Sequence, residues 1–523
     1  MGTEAKRALV RIGANYMRLG TTFVLGLLLA PILLGAVGDD GFGLIALLGS
    51  SVGIASMFQE ITEQSLNREL GSALHDPDPA VFPVIYNSAY LVTVCAAAIS
   101  ILTFGALALA APLFEIPEAL LGPARLFIVI KGVQAAAAVL FAPTFNLYVV
   151  RERFLLSNLW MILDRVGLIS AAATLVVFGV ADARGVGVAV VLYGAISAAF
   201  SLAVLAVATG IVFVREPALR PRPSLASRAG ARTVLHTGFW NTLASMAMNM
   251  HIRLDALIIN FQLGVAGNLL FGLAVQLASY ARMLTTGMTA GVDAVAARLG
   301  ATRGDDGVRA LLRQSTRLHA LAAIPSGIAM AVLAEPIIRV WVGARLENPD
   351  TTAPQVAMMI RVLAIGIVIR SVSDGWVRLL YGAGHVRRVA PVIVVGGLLN
   401  PVFAGLLIVT LPESIRFTAV AWAFSIAMAI FHLVGIPIVT ARALQASVVE
   451  IVRPCVRPLL VAAIPAPLLV VADGMVEQWS LLSLLTVVGV YALVVGAASL
   501  CFAVSAEERR RVQNAVRVRL GRA

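Results

Sequence analysis

The chain has 523 residues, of which 59% are hydrophobic and 13% charged, with a formal net charge of +12 and a mean hydropathy of +0.91. A soluble protein of this size has too little polar surface to cover that apolar content, and the basic residues are spread between apolar runs, so a soluble enzyme and a nucleic-acid binder are both excluded. Cys95, Cys455 and Cys501 lie in or beside apolar runs and the six histidines are dispersed, which gives neither a disulfide framework nor metal-ligand spacing; no metal and no cofactor is expected.

A helix needs roughly 20 apolar residues to cross a bilayer, and fourteen such stretches follow one another: about 11–37, 42–60, 84–112, 124–149, 155–180, 186–213, 234–262, 265–290, 318–342, 356–380, 388–410, 417–440, 457–473 and 480–504. The expected fold class is all-α, a polytopic membrane protein of about fourteen transmembrane helices. Lys6, Arg7 and Arg11 lead directly into a first run too long for a signal peptide, so that run is expected to be retained. The 40 Lys and Arg residues sort sharply: 28 fall in the N-terminal segment, the even-numbered loops and the tail, four (Arg125, Arg184, Arg345, Arg416) in the odd-numbered loops, and eight inside spans. The positive-inside rule then puts both termini in the cytoplasm. The opposite loops are short and mostly acidic, Asp39-Asp40 among them.

The chain is expected to divide into an N-lobe of spans one to six (1–214), a cytoplasmic linker (215–233), a C-lobe of spans seven to twelve (234–441), two extra spans (442–504) and a basic cytoplasmic tail (505–523). The linker holds "REPALRPRPSLASRAGAR", whose Pro and Arg content predicts an extended segment. The lobes read as a duplication. A shift of 229 lays "GFGLIALLGS" at 41 on "LFGLAVQLAS" at 270, matching Phe42 to Phe271, Gly43 to Gly272 and Ser50 to Ser279. Two pseudo-symmetric six-helix bundles in one orientation are a transporter architecture, with a substrate site expected where the repeats meet.

Eight basic residues lie within spans. Arg339 and Arg361 are near outer ends and can snorkel; Arg18 is a third of the way in, and Lys131 is intermediate. Arg165, Arg253, Arg282 and Arg370 lie deeper. A central charge costs roughly 2.5–3.5 kcal/mol on insertion scales, so four would cost on the order of 10–14 kcal/mol, as much as a whole domain's net stability. They must face water or partners. On span seven, Asn241, Ser245, Asn249, Arg253 and Asn260 form one polar stripe, while His251 and Asp255 make an i, i+4 pair on another face where neighbouring helices can enclose them. The stripe reads either as interhelical hydrogen bonding or as the wall of a cavity. Asp164 adjoins Arg165 but points about 100° away, and Arg370 with Asp374 forms a possible i, i+4 ion pair. Membrane carboxylates are the usual proton or cation coupling sites, which makes Glu60, Asp164 and Asp255 candidates, although Glu60 is also explained by cytoplasmic solvation. A cavity richer in cations than in anions favours an anionic ligand such as a phosphate, diphosphate or carboxylate.

The stretches "GANYMRLGTTFVLGLLLAPILLG" and "GFWNTLASMAMNMHIRLDALIINFQLG", which open the two halves, resemble the multidrug/oligosaccharidyl-lipid/polysaccharide (MOP) exporter superfamily, and within it the O-antigen-type polysaccharide flippases. The loop "ARLGATRGDDGVRALLRQSTR" and the "LLYGAGHVRR" turn before "GGLLNPVF" also look like family features. The resemblance implies a central cavity lined by spans one, two, seven and eight, with Arg18, Arg253 and Arg282 at it and Glu60 nearby. It implies alternating access, with Pro31, Pro325 and Pro391 as possible bends. The implied cargo is a polyprenyl-diphosphate-linked oligosaccharide for surface polysaccharide (lipopolysaccharide) biosynthesis, moved from the cytoplasmic to the outer leaflet, with H⁺ or Na⁺ as a possible coupling ion and polysaccharide assembly proteins as possible partners. The full expected substrate set is Arg18, Asn249, Arg253, Arg282, Arg165 and Arg370.

Lipid II flippases of the same superfamily also have fourteen spans and a cationic cavity, and are the nearest alternative. A multidrug cation antiporter is disfavoured by the sign of the buried charge. A membrane glycosyltransferase or ligase would need a large outer loop for its acceptor, and the longest outer loop covers only about 343–355, so no enzyme is expected. The tail places Val512, Val516 and Leu520 at helical spacing among arginines, as an interfacial helix or a frayed end.

Overall fold

The structure, a computed structural model, describes residues 3–55, 66, 69–151, 153–236, 239–289 and 292–503; side chains are described from residue 17 onward, except 51, 54–65, 67–68, 152, 236–242, 245, 290–291, 294 and 301. Glu60, the side chains of Asn241 and Ser245, and the basic tail with Val512, Val516 and Leu520 therefore lie outside the described residues. What is described is helical, with no strand among it.

Among the described residues, eleven helices are long and apolar enough to cross a membrane, or twelve when Thr302–Val332 and Ala334–Trp341, bent by 73°, count as one broken span. Two of the eleven, Met17–Ser50 and Met246–Thr289, each contain one non-helical glycine: Gly38 (φ 69°, ψ −176°) and Gly264 (φ 61°, ψ −153°). As straight rods these 34- and 44-residue helices would run about 51 and 66 Å, against a hydrocarbon core of about 30 Å. Each is therefore two spans joined at a glycine, which enters the positive-φ region without a Cβ clash. Both glycines fall where the sequence places turns, between spans one and two and between seven and eight, so the fourteen expected spans are accounted for.

The chain forms two compact units. The first comprises Met1–Leu273, Arg345–Asn348 and Ile393–Val420; the second comprises Ala274–Ala344, Pro349–Val392 and Ala421–Ala523. In the first unit, span three (Val81–Leu109) packs on span four (Glu118–Val150), four on six (Val186–Arg215), and spans one and six on five (Phe154–Val177). Lipid tails are as apolar as leucine, so helices in a bilayer associate through close van der Waals fit rather than by escaping water. Aromatic rings seated on glycines supply that fit. A Cβ on Gly132 would lie 2.6 Å from Phe104, one on Gly194 2.6 Å from Phe127, and one on Gly167 2.5 Å from Phe200. Gly366 receives Phe424 in the same way in the second unit.

The linker is not the extended segment expected. Its 3₁₀ turns at Pro217–Leu219 and Pro223–Leu225 and its helix Arg228–His236 lie against span three. Leu219 and Val234 are buried in one cluster with Tyr86, Tyr90 and Tyr148. The Tyr86 hydroxyl donates to the Leu219 carbonyl at 3.0 Å, the Arg222 amide donates to Asn87 Oδ1 at 2.6 Å, and the Ser227 amide donates to Ser88 Oγ at 2.9 Å. Prolines remove donors and fix φ, and here they leave a shaped connector whose other backbone groups bond partly within its own turns and partly to span three.

In the second unit, span nine packs on span ten (Pro349–Gly382) and on the helices of span thirteen. Spans thirteen and fourteen join span nine through Leu333, Val461, Leu469, Leu484, Tyr491 and Val495, and the Tyr491 hydroxyl donates to the Ala462 carbonyl at 2.9 Å. The extra spans are thus packed structure rather than a loose appendage. Span twelve is locally a π-helix over Met428–Gly435. The outer-end residue Arg339 is exposed and reaches both Glu335 and Asp350 at 3.0 Å, as snorkelling predicts.

Candidate functional site

Within the first unit, spans one, two, four, five and six line a half-open cavity of about 630 Å³. Span four contributes Lys131, Gln134, Ala138, Ala142 and Asn146, spaced by three or four residues so that one helix face is polar at its ends and small between them. Span five adds Trp160, Asp164 and Arg165, and span one adds Arg18 and Thr22. Three cations and one carboxylate thus share this volume, against the low-dielectric walls of spans that elsewhere carry almost no charge.

The donors exceed the acceptors that the protein offers them. Lys131 Nζ donates to Gln134 Oε1 at 2.9 Å and to Ser197 Oγ at 2.8 Å, and sits 5.9 Å from the centre of the Phe127 ring. Asp164 attracts it electrostatically. Arg18 Nη1 lies 3.4 Å from Met161 Sδ, a weak acceptor. Arg18 Nε, Asn146 Nδ2 and Trp160 Nε1 are buried and have no hydrogen-bond partner among the described residues. Buried donors without acceptors are costly, and a cavity lined with them is suited to a ligand rich in acceptor oxygens. Of the expected site residues, Arg18, Asp164 and Arg165 are brought together here. Asp164 and Arg165 form no ion pair with each other among the described residues, as their 100° separation implied.

Span seven resolves into two faces. His251 and Asp255 are fully buried, and Asn400 of span eleven (Val386–Thr410) donates from Nδ2 to Asp255 Oδ1 at 2.7 Å and to the His251 carbonyl at 3.4 Å. Asp255 is therefore enclosed by a neighbouring helix, although its Oδ2 has no partner among the described residues. Arg253 is half-buried, and its Nη1 donates to the Gly53 carbonyl of span two; a Cβ on Gly53 would meet Arg253 Nε at 2.8 Å. Asn249 is also half-buried. Asn260, the last of the stripe, donates to the Phe114 carbonyl and accepts from Asn268 Nδ2 at 2.9 Å, an interhelical clasp.

Arg282 and Arg370 lie in the second unit. The carboxylate of Asp374 goes to Arg282, whose Nε and Nη2 reach Oδ2 at 3.1 and 2.8 Å. Arg370 is 2% exposed, and its Nε has no partner among the described residues. The i, i+4 pair read from the sequence is thus replaced by a pair between spans eight and ten, in which the Nε–Nη2 edge of Arg282 meets Asp374 Oδ2. One turn along, Ser373 Oγ is 2.7 Å from His432 Nδ1, placed there by the π-helical stretch of span twelve. Among the described residues no group of His, Cys, Asp and Glu has a metal-binding arrangement.

Sequence reasoning left out Gln134, Asn146 and Trp160. A signal for the first two is present in "KGVQAAAAVLFAPTFN", where Lys131, Gln134, Ala138, Ala142 and Asn146 recur at helical spacing; Trp160 carries none.

A family described as polysaccharide biosynthesis protein matches residues 168–348. No curated protein matches the sequence. Among solved structures, an inward-facing multidrug resistance MATE family transporter of the MOP superfamily superposes with a TM-score of 0.65 at 14% identity, over 82% of this chain and 98% of its own. The lipid II flippase MurJ, in an inward closed conformation, does so with 0.65 at 13% identity, over 94% and 98%. A MOP superfamily transporter from Pyrococcus furiosus, described by a reversed polarity of its binding pocket, gives 0.52 at 13% identity, over 84% and 95%. The resemblance seen in the sequence is borne out: this is a multi-pass membrane protein with the fold of the MOP transporters and flippases.

Proposed function

We propose that this flippase-type transporter moves a polyprenyl-diphosphate-linked oligosaccharide by alternating access, from the cytoplasmic to the outer leaflet of a bacterial inner membrane, for surface polysaccharide biosynthesis of the O-antigen type. The observation that carries this reading is the donor-rich cavity of the first unit. Arg18, Lys131 and Arg165 supply positive charge for a diphosphate, and Asn146, Trp160 and Gln134 supply polar contacts for sugar hydroxyls. The polysaccharide-biosynthesis match supports the cargo class. An exporter of lipophilic cations would be served by the opposite charge balance, and the pocket of the Pyrococcus relative, described as reversed in polarity, is a precedent for charge sign dividing functions within this fold.

In this reading Arg18 and Lys131 hold the diphosphate, and Arg253 and Asn249 act from span seven, where Arg253 doubles as a clasp on Gly53. Arg282 and Arg370, beside Asp374, are proposed as substrate-binding residues of the second unit. Asp164 is the coupling candidate best supported, since it shares the cavity with Lys131; Asp255 and Glu60 are the others. Both termini are cytoplasmic, and the chain acts by transport rather than catalysis. A lipid II flippase is the second reading, favoured by one observation: the match to MurJ covers 94% of this chain against 82% for the MATE transporter.

The test is flipping in liposomes of a fluorescent polyprenyl-diphosphate oligosaccharide, with lipid II in a parallel arm, at matched yield of folded protein. A charge-assisted hydrogen bond contributes roughly 1.5–3 kcal/mol, so Arg18→Ala or Lys131→Ala should slow flipping about tenfold or more, with Lys131→Arg recovering part. Wild-type protein that moves only lipid II selects the second reading. Wild-type protein that moves neither lipid, or folded variants as fast as wild type, rejects the cavity as the cargo site.

A further inference from the structure

A second hollow, separate from the cavity above, opens in the second unit with a volume of about 850 Å³. Arg313 and Arg317 reach it from the helix Val292–Val332, and Ser447, Glu450, Arg453 and Arg457 from the start of span thirteen. Ser447 accepts from the Glu450 amide at 3.1 Å, which caps the first turn. Glu450 in turn holds Arg313 at 3.0 Å. Arg453 and Arg457 are not neutralised in this way: they are exposed, lie four residues apart, and form no ion pair among the described residues.

What lies beside these arginines decides the ligand class. Val456, Leu459, Leu460 and Ile464 are 50%, 50%, 53% and 75% exposed. They belong to a helix long and apolar enough to span the membrane, so in a bilayer this surface meets acyl chains. A basic hollow at headgroup level is thus continuous with a surface at hydrocarbon level. Free phosphate would use only the first; a diacyl phosphodiester uses both. Juxtamembrane basic residues attract anionic lipid, and guanidinium forks fit phosphate oxygens in pairs.

We propose that the hollow formed by Arg313, Arg317, Arg453 and Arg457 is a binding site for the headgroup of an anionic bilayer phospholipid, whose chains lie along Val456, Leu459, Leu460 and Ile464. The lipid is a resident of the bilayer, not the transported cargo. It fastens the start of span thirteen to the helix that leads into span nine.

The test uses full-length protein in mild detergent, with native mass spectrometry and thermal unfolding read on the same samples. The probes are phosphatidylglycerol, phosphatidylcholine and inorganic phosphate. Phosphatidylglycerol should bind and raise the unfolding temperature of the wild type, and Arg453→Gln/Arg457→Gln should weaken that binding about tenfold or more. The control Arg387→Gln/Arg388→Gln, which removes two exposed charges outside the hollow, should bind as wild type does. The proposal is overturned if phosphatidylcholine binds equally, if phosphate alone reproduces the shift, or if the control loses binding as much as the double variant. Should Arg453→Gln/Arg457→Gln fail to fold, Arg317→Gln replaces it under the same criteria.

Discussion

Asp374 sets the electrostatics of the second unit's interior. It holds Arg282 through two nitrogens, while Arg370, almost wholly buried, stands one turn from it on the same helix. Removing one partner of this pair, whose side chains are 31% and 17% exposed, leaves the other charge uncompensated, at roughly 1–3 kcal/mol. Asp374→Asn should therefore destabilise by about that amount in thermal unfolding, and Arg282→Gln/Asp374→Asn should recover part of the loss. A double variant as unstable as the sum of the singles would show that the pair is not coupled. The sequence showed that these charges are buried but not which would meet. Helical spacing favoured Arg370 with Asp374; only tertiary packing brings Arg282 across. Asp255 illustrates the converse. Its enclosure beside His251 was readable from the wheel of span seven, and only its partner Asn400, 145 residues away, was not.

At the scale of elements, the spans were legible because twenty apolar residues can do little else, whereas their joints were not. The sequence places turns near Gly38 and Gly264, but does not show that each joint is a single positive-φ glycine within otherwise continuous helix. Gly43 and Gly272, matched by the repeat, both lie where span two meets span eight. A Cβ on Gly43 would sit 2.3 Å from the Val265 carbonyl oxygen, and one on Gly272 2.9 Å from the Ala46 methyl. Because the first obstacle is backbone, Gly43→Ala should cost about 1–3 kcal/mol as an overpacking change, read as a lower unfolding temperature. Gly49→Ala, on the same span with nothing within 4 Å, should be neutral. Equal effects of the two substitutions would mean that the close approach does not bear on stability.

For the whole molecule, charge asymmetry predicts which loops face the cytoplasm, and the chain offers a clean assay because it has only three cysteines. In a Cys95→Ser/Cys455→Ser/Cys501→Ser background, Asp182→Cys should react with a membrane-impermeant maleimide on intact cells, and Arg222→Cys only after permeabilisation. The reverse pattern would invert the topology. Both positions are exposed, so failure to label reports sidedness rather than burial. The docked linker also bears on the order in which the protein is made. Leu219 and Val234 complete the cluster around Tyr86 and Tyr148, so six inserted spans do not yet form a finished unit. Ribosomes add roughly 5–20 residues per second, and the stretch 215–234 takes about one to four seconds to follow span six. Through that interval a tyrosine-lined seam stands open at the membrane surface, and the nascent chain closes it with its own connector before span seven is complete.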